Sequence, residues 1–297
     1  MRITDRMASE RLLQDILEAG RRRLEVHRQM SSGKRLERPS DDPAGVFSAL
    51  GFRSLLRETA RFRENNDDAR GWLEAAEASL SQATDLLHRA RELAVEGASD
   101  TVPPEARKAL AQEVRQLREE LISIGNATYG GRYMFGGRKT TQAPYDAGGN
   151  YSGESGPGAS LVREIGPGVY LEVTLPGIEI FGDAGSGVGP LKTLEDLASA
   201  LDADDQAGIN SALGALDADT DNLLQKRTTL GAKLERVEMN ARKLLDTEIL
   251  FRDLLSRLED ADLAEVAVRF ATEDAAYRQA LAAAAQILRS TLLDFLR

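Results

Sequence analysis

The sequence predicts a mainly α-helical fold: a long antiparallel helical bundle or coiled coil built from both chain ends, with a small β-rich domain inserted between. Three observations predict it. Apolar residues recur at alternating spacings of four and three on both sides of the chain, the period of helix-on-helix packing. The hydrophobic fraction of 42% rests mainly on Ala, Leu and Val, with aromatic residues at only 5%, and small or straight side chains let helices approach closely. Between Tyr133 and Pro190 the pattern changes to dense glycine and alternating β-formers, as in Val169-Tyr170-Leu171-Glu172-Val173-Thr174-Leu175.

The first helix carries Leu13, Leu17, Gly20, Leu24 and His27 at four-three spacing. Ser31-Ser32-Gly33 ends it, because glycine accepts the left-handed conformation at a helix C-terminus. Asp42 is then placed to cap a second helix, with Pro43 in its first position. That helix runs from about Pro43 to Gly97 and keeps Ala69, Leu73, Ala76, Leu80, Ala83, Leu87, Ala90 and Ala94 on one face. A third begins near Pro103-Pro104, aligns Ala106, Leu110, Leu117, Leu121 and Ile124, and stops before Gly130-Gly131. After the insert, Leu194, Leu197 and Leu201 mark a short helix. The repeat returns from Ile209 to Leu258 and slips by one at Glu259-Asp260-Ala261-Asp262, as where a coiled coil bends or rewinds. It resumes with Leu263, Ala267, Phe270, Tyr277, Leu281, Ala284, Leu288 and Phe295. The expected divisions are terminal helices over 1–42 and 259–297, rod halves over 43–132 and 191–258, and the insert over 133–190.

The two ends are oppositely charged. Residues 1–38 hold ten Arg or Lys against six Asp or Glu, a balance of +4; residues 246–297 hold six against ten, a balance of −4. Ends of this kind are suited to pairing with each other or with neighbouring subunits. The overall charge of −10 disfavours nucleic acid as a partner, and Arg21-Arg22-Arg23 reads as a solvated helix face. Without cysteine there are no disulfides and no thiolate metal sites. No apolar run approaches the ~20 residues of a membrane span, so no membrane insertion is expected. The first twenty residues have scattered acids and lack the apolar core of a cleavable secretory signal.

Catalysis finds no support in the residues. The only histidines are His27 and His88, which excludes a His-Glu-x-x-His zinc site, and both read as packing residues. Gly131–Arg138 superficially resembles a phosphate loop but lacks its lysine and hydroxyl, and Gly185–Gly189 lacks dinucleotide-binding spacing. Asp217-Ala-Asp219-Thr-Asp221 opens like a calcium loop, yet Asn222 and Thr228 stand where Gly and Glu are needed. Asn126-Ala-Thr128 and Asn150-Tyr-Ser152 match the short N-glycosylation pattern. No cofactor is called for.

Several segments together resemble the bacterial flagellin superfamily. Gln29-Met30-Ser31-Ser32-Gly33-Lys34-Arg35-Leu36 followed by Ser40-Asp41-Asp42-Pro43-Ala44-Gly45 is similar to its N-terminal motif. Asn66-Asp67-Asp68-Ala69, Ala76–Leu80 and Arg89–Val95 continue the likeness in order. Ser256–Ala264 and Leu292-Leu293-Asp294-Phe295-Leu296 resemble its C-terminal motif. The resemblance covers about 1–137 and 205–297. Tyr133-Met134-Phe135-Gly136-Gly137, the Ala143-Pro144-Tyr145 turn and Tyr151-Ser152-Gly153 are closer to members at the hook–filament junction than to filament subunits. A minor filament flagellin is the alternative within the superfamily.

The resemblance implies a structural, non-enzymatic, secreted subunit of the bacterial flagellum at the junction of hook and filament. Its implied partners are the other hook-associated protein, flagellin, further copies of itself in a ring, a type III export apparatus, and an export chaperone on the C-terminal segment. Candidate assembly residues are Leu13, Leu17, Leu24, Ser31, Ser32, Gly33, Asp41, Asp42, Pro43, Asp260, Asp262, Leu281, Leu288, Leu292 and Phe295. Both terminal segments are expected to be mobile before assembly. A third reading, from another class, is an enzyme or ligand-binding domain housed in the insert; it requires convergent polar groups in a pocket.

Overall fold

The computed structural model describes residues 5–295, with side chains described at residue 7 and from 10 to 286. Among them are six α-helices and two two-stranded sheets: α1 (Asp5–Ser32), α2 (Pro43–Gly97), α3 (Pro104–Gly125), β1 (Thr128–Tyr129), β2 (Arg132–Tyr133), β3 (Val162–Gly166), β4 (Val169–Glu172), α4 (Pro190–Asp202), α5 (Gln206–Glu259) and α6 (Leu263–Phe295). The chain forms two compact units, one of residues 59–247 and one joining residues 1–58 to 248–297.

In the 59–247 unit the apolar repeat becomes a core. Ala69, Leu73, Ala76, Leu80, Ala83, Leu87, Ala90 and Ala94 of α2 are all buried, as are Ile209, Leu216, Leu223, Leu230 and Val237 of α5. Alternating Ala with Leu on α2 supplies holes for neighbouring knobs. The two helices run antiparallel: Asn66 donates to Val237 O at 3.1 Å, Arg227 reaches Glu77 at 2.7 Å, and Arg91 reaches Asp217 at 2.6 Å. Val114, Leu117 and Leu121 of α3 join the same cluster as Leu194 and Leu197 of α4. Arg107 closes the far turns, with its guanidinium donating to Gly97 O and Ser99 O at 2.9 Å and pairing with Asp204.

The insert has less strand than its alternation suggests. β1–β2 and β3–β4 are short antiparallel hairpins, the second with an irregularity between Glu164 and Gly166. An aromatic cluster and side-chain-to-backbone hydrogen bonds hold the remainder, a solution that strand periodicity does not encode.

In the terminal unit, α1 packs antiparallel against α6. Arg22 reaches Glu273 at 3.3 Å, Arg23 reaches Asp274 at 3.1 Å, and His27 stacks at 5.7 Å from Phe270. The oppositely charged ends therefore pair with each other. The row that the four-three spacing selects is used only in part: Gly20 and His27 meet α6 at Tyr277 and Phe270, and its leucines do not. Ala19 and Val26 are buried, flanked by half-buried Leu12, Ile16 and Arg23, whereas Leu13, Leu17 and Leu24 remain 60%, 55% and 67% exposed. The reason is steric. Ala19 and Gly20, which lies against the Tyr277 ring, let the helix axes approach where leucines would hold them apart. On α6, Val266 and Ala284 are buried with Phe270 and Tyr277 half-buried, while Leu263 and Leu281 are exposed. The slip at Glu259–Asp262 is a break between two helices, α5 ending at Glu259 and α6 starting at Leu263.

Candidate functional site

The residues singled out at the N-terminal and C-terminal motifs meet in space where both long helices break. Gly33 takes φ +69°, which glycine adopts without the penalty other residues meet, and its N–H closes α1 by donating to Gln29 O at 2.9 Å. Asp41 organises the connection that follows: its carboxylate accepts from Arg38 N at 2.9 Å and Glu37 N at 3.2 Å, and Arg28 lies 3.4 Å away. Those backbone hydrogen bonds hold its carboxyl below the usual carboxylate range. Asp42 caps α2, accepting from Ala44 N and Gly45 N, both at 3.1 Å. A Cβ on Gly45 would come within 2.8 Å of Leu36 and 2.5 Å of the Asp42 carboxylate, so glycine lets this corner close. Pro43 opens the helix, and Ser31 and Ser32 are exposed in the last turn of α1; the Ser32 hydroxyl accepts from Lys34 N at 3.2 Å.

The opposing segment is α5's last residue and the break after it. Glu259 O accepts from Arg35 N at 2.6 Å and Leu36 N at 3.3 Å, and Ala261 N donates to Gly33 O at 2.9 Å. The Glu259 side chain is only 5% exposed and receives Lys34 Nζ at 3.0 Å and Arg53 Nη2 at 2.8 Å. Burial pushes its carboxyl up, but the Arg53 and Lys34 hydrogen bonds and charges outweigh that and hold it below its ordinary value. Asp260 accepts from Ser256 Oγ at 2.5 Å, and Asp262 caps α6 by accepting from Ala264 N at 2.9 Å. The structure thus brings Gly33 to the Glu259–Ala261 segment, which contains Asp260 and is followed by Asp262, with Asp41, Asp42 and Pro43 completing the corner. Asp260 and Asp262, the acids that follow, stand out in the sequence, whereas Glu259, Lys34 and Arg53 do not. Their signal was weak, because Glu259 stands in a run of acids and its partners lie 225 and 206 residues away.

Leu13, Leu17 and Leu24 form an exposed apolar row on α1, and Leu281 is 43% exposed on α6. The side chains of Leu288, Leu292 and Phe295 lie outside those described.

In and beside the insert, several polar groups are spent on the fold. Asn126 exchanges two hydrogen bonds with the Tyr145 backbone, at 3.0 and 2.9 Å, and the Tyr145 hydroxyl donates to Gly182 O at 2.9 Å. Asp183 accepts from Tyr151 N at 3.0 Å and Ser186 N at 3.1 Å. Phe135 and Phe181 stack edge-on at 5.1 Å, with Tyr145 at 5.2 Å from Tyr151. Burial pushes the Tyr151 phenol up to about 12, as expected of a packed ring. Tyr133–Gly137, Ala143–Tyr145 and Tyr151–Gly153 therefore serve the aromatic core. An open groove of about 430 Å³ lies between α4 and the start of α5, lined by Thr193, Asp196 and Ser211 among others, and it is outside the insert.

Comparison with known proteins gives these features a family. The bacterial flagellin N-terminal helical region matches residues 3–140, and the bacterial flagellin C-terminal helical region matches residues 213–296. The chain belongs to the bacterial flagellin family. It is 29% identical to the flagellar hook-associated protein 3 of Salmonella typhimurium, over 64% of this chain and 60% of that protein. It is 28% identical to the flagellar filament core protein flaB2 of Brachyspira hyodysenteriae, over 86% of this chain and 85% of that one. The chain thus spans less than two thirds of the Salmonella protein. The fold matches the flagellar hook-associated protein-3 structure from Legionella pneumophila with a TM-score of 0.62 and 17% identity, covering 70% of this chain and 98% of that one. The family and these relatives are structural proteins of the flagellum, not enzymes.

Proposed function

We propose that this chain is the structural subunit that joins the hook side of the flagellum to its flagellin filament, assembling as a ring between another hook-associated protein and flagellin. The observation that carries this reading is the conjunction of flagellin-type ends with an insert built on Phe135, Tyr145 and Tyr151, the residues by which the sequence resembles the junction branch. The hook-associated relative and fold neighbour support it. A minor filament flagellin is the second reading, supported by the similarity to the filament core protein.

Deleting the gene separates the two. Loss of a junction subunit should leave hooks in place and shed flagellin into the medium; loss of a minor flagellin should leave filaments largely attached. Immunogold labelling should mark one narrow band between hook and filament, and labelling along the filament would refute the junction role.

Assembly is proposed to proceed by coupled folding. Export unfolded through the type III apparatus, with a chaperone on the C-terminal segment, suits a cysteine-free chain. Residues 1 to about 42 and from about 259 to 297 would stay mobile in the soluble subunit and fold when neighbours arrive. Burying one Leu or Phe gains ~1.5–3 kcal/mol, while ordering backbone costs ~1–2 kcal/mol per residue. α1 spends 28 residues yet leaves Leu13, Leu17 and Leu24 in water. Those leucines are offered to a second copy of the chain or to flagellin, whose contact would supply the missing stabilisation.

A further inference from the structure

The two connections that interrupt the long helices are tied together by one buried carboxylate. Glu259 is the final residue of α5, where the helix dipole disfavours negative charge, and its side chain is nearly sealed from water. Such a charge is costly unless it is paired. Both of its cations come from elsewhere in sequence: Lys34 from the connection after α1, and Arg53 from α2. The backbone reinforces the same contact through Arg35 N, Leu36 N and Ala261 N.

We propose that Glu259 is a charge latch that holds the roots of α1 and α6 together in the unassembled subunit, so that the terminal helices fold outward from it when subunits meet. The latch rests on the coupled-folding reading and shifts its boundary, because residues 33–36 and 259–261 then belong to the ordered part before assembly. The 59–247 unit already brings Asn66 to Val237, so the latch closes only the shorter stretches of chain beyond them. A latch formed in advance removes that cost from the assembly step. The neighbouring acids cannot substitute: Asp260 is engaged by Ser256, and Asp262 caps α6.

The test is hydrogen exchange, resolved by residue, on the soluble full-length chain with Glu259→Gln and Lys34→Gln variants. In the wild type the amides of Arg35, Leu36 and Ala261 should exchange slowly while those of residues 10–24 exchange fast. Glu259→Gln should speed the three amides by ~10-fold or more, the scale of a hydrogen bond to a charged group. Lys34→Gln, which removes a partly exposed cation, should speed them by a smaller factor. Exchange over residues 59–247 reports whether a variant has folded; should Glu259→Gln fail there, Lys34→Gln decides. The latch is refuted if the three amides are as fast as residues 10–24 in the wild type, or unchanged in both variants. Slow exchange over residues 10–24 in the wild type would instead refute coupled folding, and the variants would still decide the latch.

Discussion

The same apolar repeat does different work in the two units. In residues 59–247, Leu73, Leu80 and Leu87 are wholly buried and meet Leu216, Leu223 and Leu230 in one cluster. In the terminal unit, Leu13, Leu17 and Leu24 carry the same spacing and remain more than half exposed. The first region satisfies its own pattern; the second leaves its leucine row exposed. Periodicity reports that a helix has an apolar face. Whether that face is covered within the subunit depends on how closely a neighbour can approach, which Ala19 and Gly20 decide for α1.

This contrast sets the order of mutational effects. Leu80→Ala should destabilise the 59–247 unit by ~2–5 kcal/mol through lost burial and a cavity, read from urea unfolding. Leu24→Ala should shift the soluble subunit by no more than ~0.5 kcal/mol while impairing incorporation into flagella. Equal effects on stability would erase the distinction between the units. Asn66→Ala should cost ~1 kcal/mol, because it removes a buried hydrogen bond to Val237 O and one acceptor of Asn240 Nδ2; thermal unfolding checks this. Asp42→Ala, which uncaps α2 in the terminal unit, should cost ~1 kcal/mol, read as faster amide exchange over residues 43–48.

The smallest effect expected is set by pH. The Glu259 carboxyl is held below its ordinary value of 4.5, so the folded state takes up its proton at lower pH than the unfolded chain. Its stabilising contribution is present above the ordinary value and is lost as pH falls through the depressed one. Exchange at Arg35 and Leu36 should therefore gain an extra acid sensitivity below pH ~4.5, and Glu259→Gln should remove it. An unchanged acid profile in that variant would assign the sensitivity to other carboxylates.

Much of this fold was legible in the sequence because its elements obey local rules. Asp42 and Pro43 start α2, Gly33 closes α1, and Ala69 through Ala94 mark a buried seam. The insert was legible only in outline: the alternation around Val169–Leu175 marks β4, but Asn126, Tyr145 and Asp183 hold the loops through contacts with no sequence period. The packing face of α1 was legible in part: Gly20 and His27 meet α6, but a second apolar row, Leu12, Ile16 and Ala19, lies one position away and takes the contact from Leu13 and Leu17. Glu259 was hidden for a related reason, since nothing local separates a buried acid from the exposed ones flanking it.

The terminal helices are proposed to need neighbouring subunits in order to fold, and the 59–247 unit is not. Limited proteolysis of the soluble full-length chain beside intact flagella, with fragments assigned by mass, tests this proposal most directly. The expected result is early cuts within residues 5–32 and 263–286 in the soluble subunit, survival of the 59–247 unit, and protection of both ends in flagella. Resistance of both terminal helices in the soluble subunit would contradict it.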